Sequence, residues 1–246
     1  TMNFESEITK DPAVRRAIAM GIDKDSFVET LLGGNGYPAA GVFPDSFSFG
    51  GNAVTAETYD PEGAKQVLEE AGWTDTDGDG IREKDGRTLT LRWLTYPSRQ
   101  ELPLLAEAAQ ATLGEIGFDV VINNTADHST IRADVSAWDI YVSAFVTAPT
   151  GDPEYFFTYC CLDSSVRNAG HYHSDQLEEL AREMSQTFDT ERRGELAVEM
   201  QQTMLDDNAY VFCSHLRMSI ISKSSVTGLT AHPCDYYEIT ADLDIS

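Results

Sequence analysis

Residues 88–124 read TLTLRWLTYPSRQELPLLAEAAQATLGEIGFDVVINN, and the order of three patterns within them decides the fold. In the first nine residues Leu89, Leu91 and Trp93 alternate with polar positions, the period of a half-buried strand. The Ala- and Leu-rich run PLLAEAAQATLGEIG then reads as a helix that closes at Gly114 or Gly117. The β-branched FDVVINN is a second strand, so the stretch predicts a β-α-β unit, a parallel sheet with a right-handed crossover. The class is α/β.

Upstream, Asp11-Pro12 caps and opens a helix in which Val14, Ile18 and Ile22 recur at helical spacing. A second start at Asp23 leads into FVETLLGG and stops at Gly33-Gly34. Residues 35–59 are rich in Gly, Pro, Ser and Phe without a period, and are read as a long ordered loop. At Asp60-Pro61 a third helix begins and ends at Gly72. Downstream, WDIYVSAFV is expected to add a strand, and SDQLEELAREMSQTF and ERRGELAVEMQQTML to form two amphipathic helices. YVFCSHLRMSIIS reads as a final strand region. No internal repeat or low-complexity linker interrupts the 246 residues, so residues 1–246 are read as one α/β domain.

Charge removes whole classes of function. Lys and Arg number 17 against 41 Asp and Glu, a net charge of -24, which repels nucleic acid and anionic membranes. No apolar run approaches the roughly 18 residues of a membrane span, and the start TMNFESEITK lacks the layout of a signal peptide. Any export signal is therefore expected to have been removed. Cys160, Cys161, Cys213 and Cys234 lack the paired spacing of a zinc site. Disulfides in an oxidising compartment and buried free thiols both remain open.

The segment DPAVRRAIAMGIDKDSFVETLLGGNGYPAAGVFP resembles the start of the second lobe in family 5 extracellular solute-binding proteins, with its helix, AID-like turn and Gly-Pro loop. The likeness continues, in that family's order, through YDPEGAKQVLEEAGWTDTDGDGIREKDGRTLTLRWLT, GDPEYFF, NAGHYHSDQLEELAREM and ERRGELAVEMQQTMLDD. It implies a periplasmic-binding-protein type II-like lobe, a mixed sheet flanked by helices, with most of the first lobe absent. It further implies an extracytoplasmic monomer, periplasmic or lipid-anchored at the cell surface. Such a protein is not an enzyme; it binds a nickel chelate or an oligopeptide between two lobes and delivers it to ABC permease subunits.

Four constellations carry candidate chemistry. Asp75, Asp77 and Asp79 alternate in DTDGDG with Gly at the sixth position, as in a calcium loop. Gly86 stands where the bidentate Glu of that loop belongs, with Glu83 and Asp85 as substitutes, and an Asp/Gly hairpin turn is the competing reading. His171 and His173 precede a helix, with His128, His215 and His232 elsewhere. Two residues apart on an extended segment, the first pair faces opposite ways and cannot easily share one ion. The segment Ala148–Phe156 follows a strand and opens a helix, so Pro149, Thr150, Asp152 and Tyr155 are placed at a cleft, with a helix cap as the alternative for Asp152. Peptide-binding relatives carry an Asp for the peptide ammonium at the place held here by Pro149 or Thr150; the nickel-binding pattern is nearer. Arg167 and Asn168 offer donors to a ligand carboxylate, and Tyr96, Trp138, Phe145 and Phe156 offer apolar walls. A hydrolase using Asp152, Glu154 and a histidine is the competing class.

Overall fold

The computed structural model describes residues 1–230 and 239–245; His232 and Cys234 lie outside the described residues. Its helices are α1 (Pro12–Gly21), α2 (Lys24–Ser26, running into a π-turn at Phe27–Leu31), α3 (Pro61–Glu70), α4 (Glu101–Gly114), α5 (His128–Arg132), α6 (Glu154–Cys160), α7 (Asp175–Met184) and α8 (Thr190–Asp206). The strands are β1 (Gly36–Pro38), β2 (Glu83–Lys84), β3 (Arg87–Thr88), β4 (Thr90–Thr95), β5 (Asp119–Asn124), β6 (Ile140–Tyr141), β7 (Ser214–Leu216), β8 (Val226–Thr227) and β9 (Asp244–Ile245).

The caps read at Asp11 and Asp60 form, accepting backbone N–H groups at the starts of α1 and α3, with Pro12 and Pro61 in first-turn positions. Ser174 and Asp189 cap α7 and α8 in the same way. The β4-α4-β5 unit is present, with β4 parallel to β5 from Thr90 opposite Asp119 to Thr95 opposite Asn124. β6 pairs parallel to the other edge of β4, Trp93 opposite Ile140. An antiparallel bridge from Met2 to Ile140 makes the sheet mixed.

Two strand expectations need correction. WDIYVSAFV pairs only at Ile140–Tyr141, because β4 ends at Thr95 and the chain beyond Val142 has no strand to lie against. YVFCSHLRMSIIS pairs only at Ser214–Leu216, and its partner is β1, inside the stretch read as loop. That contact requires glycine: a Cβ at Gly36 would lie 2.7 Å from the His215 carbonyl oxygen.

Two apolar cores result. Leu89, Leu91 and Trp93 of β4 pack with Leu105, Ala109 and Leu113 of α4 and Ile18 of α1. Phe156, Phe157, Leu177, Met184, Leu196 and Met200 from α6, α7 and α8 form the second, with Phe43 and Phe49 of the loop before α3. Phe4 packs against both. Asp139 is buried behind β4 and accepts from Ser6 Oγ (2.6 Å), Arg92 N–H (2.6 Å), Arg92 Nε (2.9 Å) and the Arg92 terminal nitrogen (2.7 Å). Among the described residues Cys160 and Cys161 are buried free thiols and Cys213 is a half-buried one. Burial pushes the Cys160 thiol up to about 12.

Candidate functional site

Ligands of parallel α/β sheets sit beyond the carboxyl ends of the strands, and here that end is lined with rings and cations. Tyr96 follows β4, Tyr141 closes β6, and α5 begins with His128 just after β5. The His128 ring stacks on Tyr96 (centroids 4.1 Å, 22°) and lies nearly parallel to Tyr141 (5.9 Å, 8°). Its Nδ1 is 3.0 Å from the Tyr141 hydroxyl. One turn along α5, the Arg132 guanidinium sits 5.3 Å from the centre of the Tyr141 ring. Beneath them Leu94, Trp138 and Tyr141 form a small buried cluster, with the Trp138 Nε1–H bonded to the Arg132 carbonyl.

The second wall comes from α6. Helical spacing places Tyr155 and Tyr159 on one face, stacked at 5.5 Å, and Phe145 stacks on each at 5.8 Å. Arg167 returns over this group, 5.6 Å from the Phe145 ring centre and 5.3 Å from that of Tyr159.

Burial raises the Tyr141 hydroxyl above its ordinary value, with Tyr96 adding to the rise and Arg132 and Arg167 opposing it. Burial holds His128 low, and the Arg132 charge lowers it further. The hydrogen bond to Tyr159 raises Arg167. Among the described residues neither Arg132 nor Arg167 forms an ion pair with a carboxylate.

Of the residues singled out from sequence, Tyr96, Phe145, Tyr155 and Arg167 meet in this region. Pro149 is buried and Thr150 exposed at the turn closed by Gly151, whose φ is 80°. Asp152 accepts the Glu154 N–H, the near-cap alternative, and also a two-pronged contact from Arg193 at 3.0 and 2.6 Å. Arg193 holds Glu154 as well, at 2.7 Å. The hydrolase arrangement is thus not formed: both carboxylates share a guanidinium and neither has an imidazole partner among the described residues. His171, at φ 54°, lies 3.6 Å from Glu5, and His173 pairs with Asp163 at 3.0 Å. Sequence reasoning missed Arg132, Tyr141 and Tyr159 and gave His128 no role. The four-residue spacing of Tyr155 and Tyr159 was the one available signal.

In the Asp-rich loop, oxygens of Asp75, Asp77, Asp79 and Glu83 lie within 4.8 Å of one another. The same carboxylates bind their own turn: Asp75 accepts from Gly78 and Gly80, Asp77 from Asp79, Asp79 from Ile81 and Glu83 from Thr76. These are the bonds of the hairpin-turn reading.

Residues 1–167 match the model of the bacterial extracellular solute-binding proteins, family 5 (Middle). The chain belongs to that family. This family 5 protein is 24% identical over 231 residues to the nickel-binding protein NikA of Staphylococcus aureus, covering 92% of this chain and 44% of that protein. It is 25% identical over 248 residues to the oligopeptide-binding protein AppA of Bacillus subtilis, covering 96% and 45%. A crystal structure described as a nickel ABC transporter from Bacillus halodurans superposes with a TM-score of 0.82 at 28% identity, over 100% of this chain and 51% of that one. The chain therefore spans about half the length of the relatives it matches, and its fold is the type II periplasmic-binding-protein fold. Family 5 proteins are extracellular solute-binding proteins, and no helix among the described residues is long and apolar enough to cross a membrane.

Proposed function

We propose that residues 1–246 are one α/β lobe, the second, of a two-lobed receptor that captures a nickel chelate or a short peptide and delivers it to ABC permease subunits. The receptor binds without turnover, works as a monomer, and resides in the periplasm or on a lipid anchor at the cell surface. One observation carries the reading: Arg132 and Arg167 lie over aromatic rings at the carboxyl end of the sheet without carboxylate partners. In a chain of net charge -24 this is a local positive site flanked by flat apolar surface. Guanidinium matches carboxylate in geometry, and a chelate of small organic acids or a peptide presents that group. The nickel- and peptide-binding relatives point the same way, and the absent ammonium-binding Asp at Pro149–Thr150 favours the chelate.

The test is isothermal titration of the full-length protein with nickel plus free L-histidine, and separately with a mixed short-peptide pool. Heat with the nickel complex alone is expected and makes this a metal-chelate receptor. Heat with peptides alone moves the ammonium contact to another residue. Heat from neither, or hydrolysis of the peptides, sinks the reading.

A further inference from the structure

The carboxylate recognition proposed for Arg132 and Arg167 assigns nothing to His128, and a role for His128 beside them rests on that proposed function. One side of its imidazole is pinned: Nδ1 lies 3.0 Å from the Tyr141 hydroxyl, and the ring is stacked on Tyr96. The other nitrogen, Nε2, has no hydrogen-bond partner among the described residues. The proton's position is set by the neighbour. The Arg132 guanidinium sits 5.3 Å from the centre of the Tyr141 ring and opposes the rise of its hydroxyl; a phenol beside a cation is polarised toward donating its own proton. That polarisation favours the arrangement in which the Tyr141 O–H points to Nδ1 and the imidazole proton resides on Nε2.

We propose that His128 Nε2–H is the third donor of a carboxylate subsite formed with Arg132 and Arg167, and that protonation of His128 tightens the hold on an anionic ligand. His128 Nδ1 and the Arg132 guanidinium both lie against Tyr141, and the Arg167 charge reaches the same phenol. A bare metal cation is disfavoured between two arginines; a carboxylate is not.

The charged and titratable groups facing His128 are Tyr96 from the end of β4, Tyr141 from β6, Asp127 and Arg132 from its own helix and cap, and Arg167 by way of Tyr141. Only Asp127 is acidic, and it is exposed. Burial and Arg132 favour the neutral ring in the free protein. An arriving carboxylate favours the charged ring, so the bound-state pKa lies above the free-state one. Affinity then rises as pH falls toward the free-state value, and is lost as pH climbs through the bound-state value.

Two probes keep their charge between about pH 5.5 and about pH 7: the nickel–EDTA complex and trialanine. With full-length protein, whichever probe binds is expected to bind about tenfold more tightly at the lower pH, the worth of one charge-assisted hydrogen bond. His128→Gln should abolish that slope. His173→Gln, an exposed histidine paired with Asp163, should leave it unchanged. A wild-type affinity without pH dependence, or a slope that survives in His128→Gln, overturns the proposal while leaving the receptor function standing. Binding of neither probe overturns the carboxylate subsite, while the receptor function falls only if nickel with L-histidine and the peptide pool also fail to bind. Nitrogen-15 spectra of the unliganded imidazole are expected to show the proton on Nε2, and a proton on Nδ1 overturns the proposal whatever the probes do.

Discussion

Arg193 and Arg167 are both arginines near α6, yet they sit in opposite company. Arg193 is 13% exposed and saturated: it binds Asp152 and Glu154 and donates to the carbonyls of Met184 and Thr187 at 2.7 and 2.9 Å. It ties the start of α8 to the end of α7 and the turn before α6. Arg167 is exposed and lies over the rings of Phe145 and Tyr159, with no acidic group among the causes of its raised pKa. A guanidinium closed by carboxylates holds the fold together; one kept apart from them, in a chain with more than twice as many acids as bases, is the one that the proposed function gives to a ligand.

That contrast can be broken by substitution. The largest effect is expected on the saturated side, at Asp139, whose buried carboxylate satisfies Ser6 and Arg92. Asp139→Ala strands those donors and should lower stability by about 3 kcal/mol, read by urea denaturation of the full-length protein. Arg193→Met releases two carboxylates and two carbonyls that are partly wetted, so a loss of about 2 kcal/mol is expected with ligand affinity nearly unchanged. Arg167→Met should invert the pattern, with stability within about 0.5 kcal/mol of wild type and affinity for the bound probe down about tenfold. If Arg167→Met proved as destabilising as Arg193→Met, the division between the two arginines would fail.

Smaller effects follow from protonation. Burial lowers the pKa of both His128 and His215 in the folded state. The unfolded chain, with histidine near about 6.5, therefore binds protons first. Stability should start to fall as pH drops below that value and level off below the lowered folded values, a trend that melting midpoints across this range would reveal. A flat profile contradicts the assignment. The smallest effect is expected at the Asp75–Glu83 loop, where the carboxylates already bind their own backbone. Calcium at matched ionic strength should leave the melting midpoint where EDTA leaves it, and a calcium-specific rise would assign the loop to a cation instead.

Much of the scaffold was legible because its signals are local. Asp11-Pro12 and Asp60-Pro61 each combine a cap with a fixed φ, and the alternation of Leu89, Leu91 and Trp93 is a period that a strand alone satisfies. The strand lengths were not legible, because pairing ends where a partner ends. The candidate site was half legible. Tyr96, Phe145, Tyr155 and Arg167 were placed by their position after strands and before a turn, whereas Arg132 and Tyr141 meet only once β6 is laid beside β4.

The sequence by itself determined the α/β class, the β-α-β crossover, the capped starts of α1 and α3, the net charge of -24 and the family resemblance, since each rests on neighbouring residues or on sums over the chain. Tertiary structure alone decided which arginine is spent on acids and which lies over rings, and which nitrogen of His128 is left unpaired. Residues 132, 141 and 167 are separated by many positions, and only the packing of β6 and α6 against the sheet sets the few ångströms on which hydrogen bonding and charge depend.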